Sequence, residues 1–278
     1  MRFFPINSVF RYLRIGLLNR LSRRVEDVHN ETQSWLKIEA FAKELPTPEE
    51  ELLPGVKWGD YRKLYTPAYW KLQYHMTEFT ESNTHRIGAS IVQEVVACLL
   101  GGYGIPSEMG LLAFYRLRDL GLIQFGVERK ELFEALSEPF EVKGGKKAKY
   151  RFYNQKATYI HRFLHRADLN SIPVDDDQEL RNWLLTIDGI GPKTASWITR
   201  NWLQSENVAI IDIHILRAGI IAGFFGLESD VTSGYFDLEN SYISFCNALK
   251  VKPSNLDAVI WDNMKKSNRI ALQVLADK

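Results

Sequence analysis

A lysine and an aspartate stand nineteen residues apart in this chain, each beside a pattern that marks the start of a helix. Lys193 follows the turn "DGIGP", and Asp212 follows four apolar residues in "VAIID". An uncharged lysine amine is a nucleophile that forms Schiff bases. A carboxylate beside it stabilises positive charge that develops in a transition state. The pair therefore predicts nucleophilic chemistry, provided that the fold brings both side chains over one cleft.

The turn before Lys193 predicts an anion site. Gly189 and Gly191 permit the positive φ angles that a tight reversal needs, and Pro192 suits the first position of the next helix. Backbone amides then point outward at the positive end of that helix, where a phosphate binds. Ile190 is expected to pack inward between the two helices. The alternative is an ordinary helix–helix turn.

The position of Lys193 in the first helical turn favours the anion site. A cation there is repelled by the helix dipole. Such a lysine is either paired with a phosphate or kept partly neutral in a buried pocket, and we expect the second state during catalysis. Asp212 has a simpler alternative role as the N-cap of the helix that follows it.

Helical periodicity dominates the elements that must position these residues, so the sequence predicts an all-α protein. A short stretch at 208–213 reads as an extended entry to a helix. Residues 1–85 are expected to be a helical and irregular segment that packs on the body, with a helix from about Pro67. Residues 86–278 are expected to form the helical core, with a hairpin at about 178–204. Helices are predicted over 86–101, 104–123 with Ser107 as N-cap, 128–138, 176–187, 192–204 and 256–277.

The charge is uneven although its total is only +1. Positions 143–166 hold eight Lys or Arg and no acid. Aromatic residues interleave these charges, which favours a patch that binds phosphates over a solvated surface run. Within this patch, Lys149, Arg151 and Lys156 are the candidate phosphate ligands.

The composition also limits the setting of the protein. No apolar run approaches the ~20 residues of a membrane helix, and the basic start lacks the core of a signal peptide. We expect an amphipathic N-terminal helix packed on the body, rather than bound to a membrane, and a cytoplasmic protein, nucleoid-associated if prokaryotic. Cys98 and Cys246 lie among apolar residues, as buried thiols do in a reducing compartment. Two cysteines cannot supply the four thiolates of an iron–sulfur cluster.

The segments "GIGPKTA" around Lys193 and "IDIH" with Asp212 resemble the helix-hairpin-helix DNA glycosylases. The resemblance covers 180–220 directly and extends over 86–278 by helical pattern. The lysine is similar to that of the bifunctional members, and the lack of a four-cysteine cluster favours the 8-oxoguanine branch over the endonuclease III type. The adenine-specific branch usually lacks this lysine.

The resemblance implies a two-lobed helical fold with a cleft between the lobes. It implies a monomer that removes 8-oxoguanine from duplex DNA and nicks the strand by β-elimination through a lysine Schiff base. It implies no metal and no organic cofactor. Two alternatives stay open: a glycosylase for another modified base, such as an alkylated purine or a hypermodified viral base, and a non-catalytic DNA-binding module.

The resemblance also implies a base pocket. In "NLDAVIWDNM", Asp257 and Trp261 stand one helical turn apart, so the carboxylate reads the N–H groups of a guanine-like edge while the indole stacks on its ring. The alternative places Trp261 in the core and Asp257 on the surface. Trp197 is a second pocket wall or a core residue.

The remaining implied roles are contacts with DNA. His214 resembles a residue that contacts a phosphate, with a buried structural histidine as the alternative. Tyr103, between glycines, is a candidate to fill the gap left by an extruded base. The candidate DNA contacts are Gly189, Ile190, Gly191, Thr194, His214, Lys149, Arg151, Lys156 and Tyr103.

Overall fold

The protein is mainly helical, which confirms the predicted fold class. The computed structural model describes residues 35–79, 86–102 and 104–278. Within these ranges the strands form only two short antiparallel hairpins, β1–β2 and β3–β4. Tyr103 and the predicted amphipathic N-terminal helix lie outside the described residues.

The elements are numbered in chain order. The described part of α1 covers residues 35–42. The other helices are α2 Pro67–Met76, α3 Ile91–Leu100, α4 Ser107–Asp119, α5 Arg129–Ser137, α6 Tyr153–Leu164, α7 Asp177–Leu184, α8 Pro192–Leu203, α9 Ile213–Ala222, α10 Tyr235–Leu249, α11 Pro253–Lys266 and α12 Asn268–Ala276, with a 3₁₀ turn at Leu169–Ser171. The strands are β1 Glu51–Leu53, β2 Val56–Lys57, β3 Phe140–Val142 and β4 Lys146–Ala148.

Two helix starts differ from the prediction. The helix expected from residue 86 begins at Ile91, because Ser90 caps it by accepting a hydrogen bond from the Gln93 amide at 3.2 Å. The helix of residues 107–119 contains Ser107 as its first residue, and Pro106 holds the cap position without a side-chain bond. The start of α2 at Pro67 agrees with the prediction.

The single helix predicted over 256–277 is wrong, because two helices, α11 and α12, occupy that range. The break falls at Ser267, whose side chain forms two hydrogen bonds. Its hydroxyl donates to the Asn263 carbonyl at 2.7 Å and accepts from the Tyr65 hydroxyl at 2.7 Å. Residues 208–212 are extended but join no strand, and Asp212 ends them as the N-cap of α9.

Two hydrophobic clusters form the interior. The first cluster is built by helices α3 to α8, with Leu132, Ile160 and Ile198 among its fully buried members. The second is built by β2, α2 and helices α9 to α12, with Tyr242 and Phe245 at its centre. The chain therefore places Lys193 on a helix of the first core and Asp212 at the start of a helix of the second.

The segment 52–74 contributes to the second core. Tyr65 and Trp70 are fully buried there. The Tyr69 hydroxyl donates to Asn263 on α11 at 3.1 Å, and Tyr65 reaches Ser267 at the end of that helix. This segment therefore packs against α11, the helix that carries Asp257 and Trp261, and bonds to it at Asn263 and Ser267. The division of the chain at residue 85 stays a prediction.

Two predictions, buried free thiols and no membrane-spanning helix, can be compared with the structure. Cys246 is buried, Cys98 is half-buried, and neither forms a disulfide. Burial raises the pKa of both thiols well above the ordinary value, so both stay protonated. Among the described residues, no helix is long and apolar enough to cross a bilayer.

Candidate active site

The predicted hairpin is present between α7 and α8. Asp176 caps α7 by accepting hydrogen bonds from the amides of Gln178 and Glu179, each at 2.9 Å. After α7 the chain reverses and α8 begins at Pro192. Ile187 anchors the turn in the first core, so the reversal is fixed to the protein body.

Gly189 is required by both its backbone angle and its surroundings. Its φ is +87°, a region that favours glycine, and a Cβ there would lie 2.4 Å from Cδ2 of Tyr159 on α6. Gly191 differs from the prediction, since its φ is −99° and a Cβ would meet no atom within 4 Å. The open space at Gly191 leaves the start of α8 accessible to a ligand.

The start of α8 carries unused backbone donors. Gly191 occupies the cap position and has no side chain to accept from the first turn. The first intrahelical bond runs from the Ala195 amide to the Gly191 carbonyl at 2.9 Å. The amides of Lys193 and Thr194 therefore have no intrahelical acceptor, and Pro192 has no amide hydrogen to offer. This arrangement is an anion-binding helix terminus.

Ile190 has a structural position in the turn. Its side chain is buried, as predicted, and its amide donates to the Ile187 carbonyl at 3.1 Å. Its side chain is therefore not available to DNA, and a DNA contact through its backbone stays a prediction.

Lys193 is exposed, which corrects the expectation of a buried amine. It lies at the second position of α8. It forms no ion pair with any described residue. In the free protein its amine therefore faces solvent and is open to a substrate.

Asp212 is the N-cap of α9, as its alternative role predicted. Its Oδ1 accepts hydrogen bonds from the amides of His214 at 2.8 Å and Ile215 at 2.9 Å. Within the described residues, no hydrogen bond reaches its other oxygen, Oδ2. The cap thus fixes the carboxylate and leaves one oxygen for a second task.

Lys193 shares one face of α8 with Arg200, whose ion-pair partner Asp257 lies near the charge of Asp212. Lys193, Trp197 and Arg200 stand at i, i+4 and i+7, so they share that face over about 10 Å. Arg200 forms a buried ion pair with Asp257 of α11. Burial raises the pKa of Asp257 to about 7, with Arg200 opposing the rise and the nearby charge of Asp212 adding to it. Asp212 therefore lies close to the Arg200–Asp257 pair, which joins the two cores about two helical turns along α8 from Lys193.

The two predicted base-pocket residues have different environments. Asp257 is buried and its Oδ2 is taken by Arg200, so the surface alternative is wrong and a free carboxylate is not available either. Trp261 is 44% exposed and is not a core residue. The ammonium of Lys265 lies 4.5 Å from the centre of its ring. Trp261 is thus an accessible flat surface beside a buried charge pair.

Two further predicted residues border this group. The His214 ring lies edge-on to Trp261, with centroids 6.4 Å apart. Its Nδ1 is buried without a hydrogen-bond partner among the described residues. Trp197 is half-buried and packs on the first core, with the Arg200 guanidinium 5.7 Å from its ring centre. Both rings line the region between α8, α9 and α11.

The basic segment is split between exposed and tethered side chains. Lys149 and Arg151 are exposed. Lys156 of α6 is half-buried, and its amine donates to the Gly101 carbonyl at 3.2 Å. Burial lowers the pKa of this amine. Tyr159, one turn further along α6, packs on Gly189. The basic segment therefore lies beside the hairpin and beside Gly101 at the end of α3.

Several residues of this region were not predicted. Arg200, Arg181 and Glu239 are buried charges whose partners are distant in sequence. The only local signal was a charged residue set among apolar neighbours, as in "WITRNW" for Arg200. Tyr235 of α10, which bonds to the backbone of Ala209 and Ile211, was not predicted because a buried tyrosine is ordinary in a core helix.

Comparison with known proteins identifies the family of this chain. The family model of helix-hairpin-helix 8-oxoguanine DNA glycosylases matches residues 72–251. The 8-oxoguanine DNA glycosylase/AP lyase of Saccharolobus solfataricus is 38% identical over 188 residues, covering 64% of this chain and 83% of that protein. The protein of the same description from Metallosphaera sedula is 35% identical over 179 residues, covering 61% of this chain and 79% of that protein.

A solved structure, the 8-oxoguanine DNA glycosylase of Methanocaldococcus jannaschii, has a TM-score of 0.45 and 27% identity, covering 69% of this chain and 81% of that one. The family match includes the hairpin, Lys193 and Asp212, and it ends before Asp257 and Trp261. Because this match spans more than half of the chain, the protein belongs to the 8-oxoguanine DNA glycosylase family.

Proposed function

We propose that this protein excises 8-oxoguanine from duplex DNA and cleaves the strand through a Schiff base on Lys193. The observation that carries the proposal is the unpaired amine of Lys193 at the uncapped start of α8, on the face that leads to Arg200, Asp257 and the charge of Asp212. A module that only binds DNA has no need for such a face behind its hairpin.

The two hydrophobic cores are proposed to be the two lobes, with the damaged nucleotide bound in a cleft between them. The amides at the start of α8 hold a backbone phosphate, and Lys149 and Arg151 extend the contact along the strand. Extrusion of the base costs a few kcal/mol, and a lesion lowers that cost. The bound duplex covers Lys193 and removes the water that surrounds its amine in the free protein.

In the proposed reaction, the Lys193 amine attacks C1′ as the glycosidic bond breaks, and the base leaves with the bonding electrons. Asp212 stabilises the positive charge on the sugar and assists the transfer of the proton from the amine to the departing base. Ring opening then gives the Schiff base. Loss of a C2′ proton expels the 3′ phosphate, and hydrolysis of the imine releases the nicked strand.

Recognition of the base is assigned to Trp261 and to the Arg200–Asp257 pair. The exposed indole offers a stacking surface for a purine. Because Asp257 is held by Arg200, the edge of the base meets a charge pair rather than a single carboxylate. This differs from recognition by Asp257 alone, which the sequence predicted.

Borohydride trapping on a duplex that contains 8-oxoguanine tests the nucleophile. Lys193→Ala should abolish the trapped adduct while the protein stays folded, because the side chain is exposed. Lys130→Ala is the matched control, since Lys130 is also an exposed lysine at the second position of a helix, α5. A normal adduct yield from Lys193→Ala would overturn the assignment.

A panel of duplexes tests the substrate. Excision of 8-oxoguanine should exceed excision of alkylated purines and of a hypermodified base. Preferential excision of one of the other bases would instead identify a glycosylase of different specificity, and binding without any excision would identify a non-catalytic module. We further propose that the protein acts as a monomer, since Lys193 and Asp212 belong to one chain, and that it acts in the cytoplasm, where its DNA substrate would be found in a prokaryote.

A further inference from the structure

Glu239 on α10 is a buried carboxylate that the proposed chemistry does not use. Its side chain is only 2% exposed. Its Oε2 accepts from Arg181 of α7 in an ion pair. Its Oε1 accepts from the Ser196 hydroxyl of α8 at 3.2 Å and from the Ala209 amide at 2.9 Å. One carboxylate thus joins two helices of the first core to the extended segment before Asp212.

Tyr235, one turn earlier on α10, holds the same segment. Its hydroxyl accepts from the Ile211 amide at 3.1 Å and donates to the Ala209 carbonyl at 3.0 Å. Residues 208–212 belong to no sheet, so side chains of α10 take the place of a neighbouring strand. Asp212 follows Ile211 directly, so these bonds determine where its carboxylate lies.

Ser196 gives this network its relation to the nucleophile. It stands one turn after Lys193 on α8. Oε1 of Glu239 therefore bonds both to the helix that carries the amine and to the segment that carries the carboxylate. The helix dipole, the hairpin and the caps fix each partner locally, but none of them fixes one partner relative to the other.

We propose that Glu239 and Tyr235 are positioning residues that hold Asp212 at a set distance from Lys193. The proposal rests on the proposed function. A displacement of about 1 Å at a reacting group costs on the order of 100-fold in rate, whereas the loss of hydrogen bonds remote from the substrate acts on the stability of the fold. Positioning therefore predicts a loss of rate much larger than the loss of stability implies.

The test compares isosteric variants on α10. Tyr235→Phe removes both bonds to the segment and keeps the ring. Tyr242→Phe is the matched control, because Tyr242 is also buried on α10 and its hydroxyl donates to the Pro253 carbonyl at 3.0 Å, outside the segment. Single-turnover excision of 8-oxoguanine, affinity for the same duplex and urea unfolding are measured for each.

Tyr235→Phe should excise about 10- to 100-fold more slowly while its DNA affinity stays at the wild-type level. Tyr242→Phe should lose similar stability and excise at the wild-type rate. Ser196→Ala is the second variant, used in case Tyr235→Phe does not fold, and it should slow excision without weakening binding. Glu239→Gln should retain more activity than Glu239→Ala, since the amide oxygen can still accept from Ala209.

The outcomes separate this proposal from the proposed function. If the wild-type protein does not excise 8-oxoguanine, the proposed function itself fails. If the wild-type protein is active and Tyr235→Phe and Ser196→Ala match its rate, only the positioning role fails. Equal losses of rate in Tyr235→Phe and Tyr242→Phe would also overturn it, because the effect would then reflect general weakening of α10.

Discussion

Arg200 of α8 and Asp257 of α11 form a buried ion pair that joins a helix of the first core to a helix of the second. Removing one member of such a pair leaves an uncompensated buried charge, which is strongly destabilising. Arg200 also shares a face of α8 with Lys193, about two turns further along the helix. Association of the two cores and the geometry of the proposed site therefore depend on the same contact.

The raised pKa of Asp257 predicts a pH-dependent stability. Burial, with Asp212 and Glu206, raises this pKa to about 7 against the pull of Arg200, while the ordinary value is 3.8. Between about pH 4 and pH 7 the folded protein keeps a proton that the unfolded chain has released, so the free energy of unfolding falls as the pH rises, by up to about 1.4 kcal/mol per pH unit.

Urea unfolding of the wild-type protein and Asp257→Asn measures this effect. The wild-type protein should lose stability between about pH 5 and about pH 7, and the variant should lose less over the same range, since it has no titrating group at that position. Identical pH profiles for the two proteins would contradict a raised pKa at Asp257.

The two hairpin glycines should respond differently to alanine. Gly189→Ala places a methyl group against Tyr159 and strains a positive φ, so we expect a loss of about 1–3 kcal/mol in the free energy of unfolding. Gly191→Ala meets open space and should fold normally, but its methyl group should weaken DNA binding at the start of α8. Thermal unfolding and equilibrium binding measure the two effects, and an equally stable Gly189→Ala would contradict the first.

Asp212 combines a structural and a proposed chemical role, and two serine variants separate them. Asp212→Ser keeps an N-cap acceptor and should stay folded, while single-turnover excision falls by about 100-fold or more. Asp176→Ser is the control, because Asp176 caps α7 through the same pair of bonds. It should excise normally. A similar loss of activity in both variants would indicate that capping alone explains Asp212.

Trp261 should contribute to substrate binding more than to stability. It and Leu272 of α12 are both 44% exposed, so Trp261→Ala and Leu272→Ala should each change the free energy of unfolding only slightly. Trp261→Ala should weaken binding of the extruded base by about 1–3 kcal/mol of stacking, while Leu272→Ala should not. Competition between 8-oxoguanine and undamaged duplexes measures the difference, and unchanged selectivity in Trp261→Ala would remove Trp261 from the pocket.

Local chemistry made the hairpin and the caps predictable. Pro67 and Pro192 mark helix starts because proline suits the first turn, and Asp212 caps α9 because a short carboxylate reaches the next amides. The buried side of the turn at Ile190 followed from the apolar spacing on either side of it. Each of these features depends on residues within a few positions of one another.

The features that were missed depend on residues far apart in sequence. Arg200 pairs with Asp257 across 57 residues, and Arg181 pairs with Glu239 across 58. The break at Ser267 is stabilised by Tyr65, 202 residues earlier. The exposure of Lys193 was also missed, because the sequence indicates where a helix starts but not what covers it. Such contacts are decided by tertiary packing, on which periodicity carries no information.

The burial of Tyr65 and Trp70 has a practical consequence for anyone who expresses the family domain alone. Similarity to the family begins at residue 72, yet these two rings rank among the largest fully buried side chains of the described protein. A clone that starts at that homology boundary would open a hole in the second core large enough to make the product insoluble. A truncated protein should therefore begin before Tyr65 and not at residue 72, where the family match starts.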